Sequence, residues 1–312
     1  MNKHSKYQRL LDACKGLPAM PTAIVHPCDT AAIDGAVGAA RLGLIAPILV
    51  GPRQKIEEAA KKADVEISAY PIIDVEHSHA AADKAVELVL QGRAEALMKG
   101  SLHTDELMAA VVKREGGLRT SRRISHCFVM DVPSYEHTLI ISDAAVNIQP
   151  TLEDKMHIVQ NAVDLAHALG LAAPRVAILS ALETVSPKIA STIEAAALCK
   201  MAERGQIVGA IVDGPMAFDL AVSAEAAQTK GFVSPVAGQA DILVVPDLEA
   251  GNMLAKQLEY LAEAQVAGIV LGARVPIILT SRADGPLARL ASCALAALLV
   301  RKSGAPAVIG SP

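Results

Sequence analysis

Four residues near the end of the chain, Ser281, Arg282, Ala283 and Asp284, place a hydroxyl, a guanidinium and a carboxylate within one turn of backbone. Arg282 can grip two oxygens of a phosphate at once, Ser281 can donate to a developing anion, and Asp284 can accept a proton. The same residues also suit a turn after a strand, with Asp284-Gly285-Pro286 bending the chain into a helix. Further polar groups follow other apolar runs: Lys99-Gly100-Ser101, Asp213-Gly214-Pro215, and Pro246-Asp247 with Gly251-Asn252. A basic stretch holds Lys113, Arg114, Arg119, Arg122 and Arg123, which reads either as an anion patch or as a solvated loop. Gly251-Asn252 reads either as a helix start offering backbone N–H groups to an anion or as an ordinary helix start. His103, His126 and His137 lack metal-ligand spacing, so no metal site is expected.

These positions share a context. Apolar runs recur at Ala23–His26, Pro47–Gly51, Ala96–Gly100, Cys127–Val132, Leu139–Asp143, Arg175–Ser180, Val208–Asp213, Ile242–Pro246, Gly268–Gly272 and Val275–Ser281, with helical patterns between most of them. Such alternation predicts an α/β protein with mainly parallel sheets, doubly wound by the handedness of its crossovers. In sheets of that kind ligands gather beyond the carboxyl ends of the strands, where the polar clusters fall. Thr151 and Asp154 predict a capping box, Gly170 and Gly205 predict helix ends, and Ser186-Pro187 predicts a helix start. The chain divides by topology into two lobes, 1–141 plus 274–312 and 142–273.

Composition narrows the function classes. The chain has 312 residues, 52% of them hydrophobic but only 2% aromatic and none Trp, so Ala, Val, Ile and Leu must fill its core. A net charge of -4 gives no general attraction to nucleic acid or anionic membrane. Five scattered cysteines without a C-x-x-C pair suit a reducing cytoplasm. The apolar stretch from Leu290 to Val300 falls short of a membrane span and reads as a core helix. Neither G-x-G-x-x-G after the first strand nor G-x-x-x-x-G-K-[ST] occurs, which weakens a dinucleotide or P-loop reading.

Six stretches, taken together, resemble the phosphate acetyltransferase and phosphate butyryltransferase family: GLIAPILVG (Gly43–Gly51), LMKGSLHTDEL (Leu97–Leu107), SDAAVNIQPTLEDK (Ser142–Lys155), VDGPMAFDLAVS (Val212–Ser223), VAGQADILVVPDLEAGN (Val236–Asn252) and ILTSRADG (Ile278–Gly285). Met98-Lys99-Gly100, Gly117-Leu118-Arg119-Thr120 and Ser281-Arg282-Ala283-Asp284 look nearer the butyryltransferase side. The resemblance implies two lobes of the kind found in isocitrate and isopropylmalate dehydrogenases, an active site in the cleft between them, and a homodimer. It also implies acyl-CoA plus phosphate exchanging to acyl phosphate plus CoA, with CoA as substrate and no tightly bound cofactor. An aspartate would take the CoA thiol proton while Ser281 and Arg282 stabilise developing charge. At the spacing where related acetyltransferases carry that aspartate, this chain has Ala288, which leaves Asp284 as the candidate base. Lys99, Arg119, Arg122, Asp213, Gly214, Pro215, Gly251 and Asn252 are the expected substrate contacts. Two other readings stay open: a CoA or acyl-phosphate sensor without turnover, and an NAD(P)-dependent dehydrogenase of the related fold.

Overall fold

A computed structural model describes residues 4–280 and 285–302. The chain forms two compact units, one comprising Arg9–Arg122 with the residues from Ala267 onward, the other Arg123–Val266 with the residues up to Gln8. These bounds lie away from the division expected near Ile141 and Ala273. The reason is a strand pair: Ser125–Asp131 is antiparallel to Leu139–Ser142 and goes with it.

The first unit is built from the end of α1 (Ser5–Ala13, whose start up to Gln8 goes with the other unit), β1 (Met20–Val25), α2 (Thr30–Arg41), β2 (Ile45–Gly51), α3 (Arg53–Ala63), β3 (Ile72–Asp74), α4 (Ser78–Leu90), β4 (Ala96–Lys99) and α5 (Thr104–Val111). The second contains β5 (Ser125–Asp131), β6 (Leu139–Ser142), α6 (Leu152–Ala168), β7 (Arg175–Leu179), α7 (Ala190–Glu203), β8 (Ile211–Met216), α8 (Phe218–Val222), α9 (Ala224–Thr229), β9 (Ile242–Val244), α10 (Leu248–Leu261) and the start of β10 (Gln265–Leu271). The chain then returns to the first unit through β11 (Ile277–Ile278) and α11 (Pro286–Lys302).

In the first unit the strands lie in the order β3-β2-β1-β4-β11-β10, parallel except for β11 against β10. In the second the order is β5-β6-β9-β7-β8, parallel except for β5 against β6. Both exceptions join strands by connections too short for a crossover helix, which leaves only the antiparallel arrangement. The central strands are buried along nearly their whole length, as in β4 and β6, because helices cover both faces.

Local signals behave as their physics requires. Thr151 caps α6 and forms the reciprocal box with Asp154. Gly170 and Gly205 follow helix ends at φ 94° and 74°, a conformation costly for any residue with a Cβ. The apolar tail is a core helix: Cys293, Ala294, Leu295 and Ala296 of α11 are fully buried. The helix expected at Ser186-Pro187 instead begins at Ala190. The Ser186 backbone N–H donates to the Thr192 hydroxyl, which donates back to the Ser186 carbonyl, so that segment is a loop tied to the first turn rather than part of it. Among the described residues no helix is long and apolar enough to cross a membrane.

Candidate active site

In the first unit the carboxyl ends of β1, β4 and β11 lie side by side, with Val25 opposite Lys99 and Ile278 opposite Met98. The loops leaving β1 and β4 are clamped together. Gly100 and Ser101 donate backbone N–H groups to the carbonyls of Val25 and His26, each at 2.9 Å. The Ser101 hydroxyl donates to the His26 carbonyl at 2.8 Å and accepts from the Cys28 N–H at 3.0 Å. A Cβ on Gly100 would lie 2.4 Å from the Val25 carbonyl oxygen, so only glycine permits the approach. His26 takes φ 54°, unusual for a residue with a side chain and found where surrounding structure overrides local preference. Burial lowers the His26 pKa, and it pushes the Cys28 thiol up to about 11, so Cys28 is a neutral thiol rather than a nucleophile near pH 7.

Lys99 ends β4, buried, with its ammonium donating to the Gly100 carbonyl at 3.4 Å. Thr280, also buried, leads from β11 into the segment holding Ser281, Arg282 and Asp284, which lies outside the described residues. Ala288 is in the first turn of α11 and its carbonyl accepts from the Ser292 hydroxyl at 2.8 Å. That position supplies no proton acceptor from a side chain.

The basic loop is partly pinned. Arg119 pairs with Ala273 in an antiparallel bridge, Arg274 donates its N–H to the Leu118 carbonyl, and the Thr120 hydroxyl donates to the Gly272 carbonyl at 2.7 Å. This leaves the Arg119 side chain exposed and Arg122 half-buried. Lys113 and Arg123 have structural partners. Lys113 pairs with Asp83, and Arg123 donates to the Asn147 side-chain oxygen at 2.7 Å and lies 3.5 Å from Asp154. A depression of about 500 Å³ at the ends of β2 and β3 is lined by Arg53 but also by Glu57, Asp74 and Glu76, a charge balance unfavourable to a polyanion.

In the second unit, the Asp143 carboxylate follows β6 and accepts the backbone N–H groups of Ala145, Val146 and Asn147, at 3.0 to 3.1 Å, and the Asn147 amide. Gly251 and Asn252 do not start a helix. They lie inside α10, whose N-cap is Asp247, and the Gly251 N–H is spent on the Asp247 carbonyl. The expectation that this N–H faces an anion is corrected accordingly. Gly251 instead permits close packing, since a Cβ there would fall 2.9 Å from the Asp143 carbonyl oxygen, and Asn252 donates to the Ala144 carbonyl at 3.2 Å.

Asp213, Gly214 and Pro215 are likewise within a strand, not after one: β8 runs Ile211–Met216 rather than Val208–Asp213. Proline is tolerated because β8 is the last strand of its sheet. Gly214 permits close approach to β7, as a Cβ would lie 2.7 Å from the Ile178 carbonyl oxygen. The Asp213 carboxylate accepts the Gly214 N–H.

Sequence reasoning passed over His26, Asp143, Asn147 and Arg289. The first two follow strands directly, so the same search beyond strand ends finds them. Arg289 is hidden inside the apolar pattern of α11, and nothing local marks it. Among the described residues no cluster of His, Cys, Asp or Glu has the arrangement of a metal site.

Polar loops beyond the ends of parallel strands place the chain in the class of α/β proteins whose ligands gather at the carboxyl ends of their strands. The chain belongs to the phosphate acetyl/butyryl transferase family: residues 79–297 match the family described as "Phosphate acetyl/butaryl transferase". It is 61% identical over 304 residues to a phosphate acetyltransferase from Rhizobium meliloti, covering 97% of this chain and 96% of that one. To a phosphate butyryltransferase from Clostridium beijerinckii it is 40% identical over 297 residues, covering 95% and 98%. The crystal structure of a branched-chain phosphotransacylase from Enterococcus faecalis V583 superposes with a TM-score of 0.79 at 30% identity, covering 90% of this chain and 99% of that one. A 4-hydroxythreonine-4-phosphate dehydrogenase from Klebsiella pneumoniae shares the fold, with a TM-score of 0.53 at 14% identity over 91% of this chain and 100% of that one.

Proposed function

We propose that this protein is a phosphate acyltransferase that moves a short acyl group reversibly between CoA and inorganic phosphate, with acetyl as its first substrate. The observation that carries this reading is the 61% identity to a phosphate acetyltransferase along nearly the full length of both chains. Relatives named for butyryl transfer stand at 38% to 45%. Motif likeness to the butyryltransferase side is therefore outweighed by identity along the whole chain.

In the direct-transfer scheme the CoA thiol loses its proton to a base, the thiolate attacks the acyl carbonyl of acyl phosphate, and phosphate leaves with the electrons of the broken C–O bond. Ser281 and Arg282 would stabilise the anion that develops, and Asp284 would take the proton. A free thiol has a pKa near 8.5, so positioning and a positive local field can supply part of the activation. Lys99 is the best supported of the further contacts, being a buried cation at the strand edge that leads into that segment. Arg119 and Arg122 offer guanidinium groups from the neighbouring loop. Asp213, Gly214, Pro215, Gly251 and Asn252 keep a place only through side chains or packing, since the Gly214 and Gly251 N–H groups are committed and Pro215 has none. CoA serves as substrate rather than resident cofactor, and the reading carries with it a homodimer in the cytoplasm.

The test is phosphate-dependent release of CoA thiol from acetyl-, propionyl- and butyryl-CoA, trapped by a thiol reagent, with phosphate-free controls. Turnover led by acetyl-CoA is expected. A folded protein that binds CoA and turns over none of them is a sensor, and the enzyme reading fails.

A further inference from the structure

Arg289 differs from the other cations of its unit. The residue is only 8% exposed, and its aliphatic stem lies across Gly35 of α2, where a Cβ would sit 2.7 Å from the Arg289 Cδ. Glycine in the middle of a helix weakens it, so a glycine at that point fits a need to let the arm lie down. Guanidinium does not release its proton in proteins, and a charge withdrawn from water requires acceptors or a counter-ion. Among the described residues the Arg289 side chain has no hydrogen-bond or ion-pair partner.

The direction of the arm follows from helix geometry. Side chains on a helix lean toward its N-terminus, which for α11 is the end that follows β11, the strand paired with β4 and its Lys99. The N-terminus of a long helix adds partial positive charge to the same place.

We propose that Arg289 is a ligand for the phosphoryl oxygens of the substrate anion, inorganic phosphate in one direction and acyl phosphate in the other. This rests on the acyltransferase reading for its substrate, but the binding itself can be read without turnover. With Ala288 in place of a carboxylate, α11 presents a cation rather than an anion near its start, which favours holding the phosphoryl group over abstracting a proton.

Two variants test it. Arg289→Met keeps most of the stem and removes the charge; Gly35→Ala keeps the charge and displaces the arm. Arg289→Met is expected to raise the KM for phosphate at least tenfold, with the KM for acetyl-CoA within twofold, and to abolish the rise in Tm that inorganic phosphate gives the wild type. Gly35→Ala is expected to raise the phosphate KM severalfold in the same sense, which keeps the proposal testable if Arg289→Met does not fold.

A folded Arg289→Met protein with an unchanged phosphate KM overturns the proposal. So does a rise confined to acetyl-CoA, which would assign Arg289 to the phosphates of CoA. If the wild type turns over no acyl-CoA, the acyltransferase reading fails separately, and loss of the phosphate-induced Tm shift in Arg289→Met still supports the site. A wild type with no such shift at any phosphate concentration overturns it.

Discussion

Beyond β6, the Asp143 carboxylate is spent on three backbone N–H groups and the Asn147 amide, and Arg123 is held by Asn147 and Asp154. Beyond β4 and β11, the buried cations Lys99 and Arg289 stand at an edge where the described protein offers the arginine no anion. The two edges share parallel strands and tight loops, yet one satisfies its charges internally while at the other no described residue answers the guanidinium of Arg289. A charged cluster marks a ligand site when its own fold leaves it unbalanced, and residue type alone does not tell the two apart.

The comparison breaks most directly at the glycines. Gly100→Ala would drive a Cβ into the backbone on which the β1 and β4 loops cross, and is expected to cost about 3 kcal/mol or more. Gly251→Ala meets the Val245 Cγ2 at 2.7 Å, which can yield, and the Asp143 carbonyl oxygen at 2.9 Å, a looser backbone clash than the 2.4 Å at Gly100, so about 1 to 2 kcal/mol is expected. Urea midpoints measure both. Equal losses would show that the edge of the first unit is no tighter than that of the second.

Asp143→Ala, which strands the N–H groups of its loop, is expected to lower stability by about 2 to 3 kcal/mol in the same denaturation experiment. Lys99→Ala should act on kinetics instead, lowering kcat/KM for phosphate by about tenfold, or about 1.4 kcal/mol of transition-state stabilisation. A Lys99→Ala protein with wild-type kinetics would return that lysine to a structural role.

Thr151→Ala, which removes the α6 cap, is expected to cost about 1 kcal/mol. The Asp154 pKa is set by opposing effects: burial pushes it up, but the Thr151 N–H and hydroxyl and the charge of Arg123 outweigh this and hold it below the ordinary 3.8. A carboxyl with a lowered folded pKa stabilises the fold fully above the ordinary value and loses that contribution as pH falls through the lowered one. The cost of Thr151→Ala should therefore shrink in acid, and thermal melts at neutral pH and near pH 3 would show it. The smallest effect is expected at Cys28. With its thiol pushed up to about 11 by burial, Cys28→Ala should keep kcat within about twofold, and alkylation near pH 7 should be slow. Inactivation in step with alkylation of Cys28 would contradict this.

The sequence by itself determined what depends on neighbours along the chain. The Thr151–Asp154 box, the glycines after α6 and α7, most of the strand positions and the burial of α11 follow from short-range sterics, hydrogen bonding and apolar period. The family likeness was legible for the same reason, as runs of adjacent residues. Tertiary structure decided what depends on partners distant in sequence. The antiparallel pairing of β5 with β6 drew the division between units to Arg123, edge position let β8 continue through Pro215, and packing against Asp143 explains Gly251 inside α10. Only the third dimension separates Arg123, whose charge is answered by Asn147 and Asp154, from Arg289, whose stem lies over Gly35 and whose charge no described residue answers. Desolvation and counter-charge are properties of a place in the fold, and no local pattern of residues encodes them.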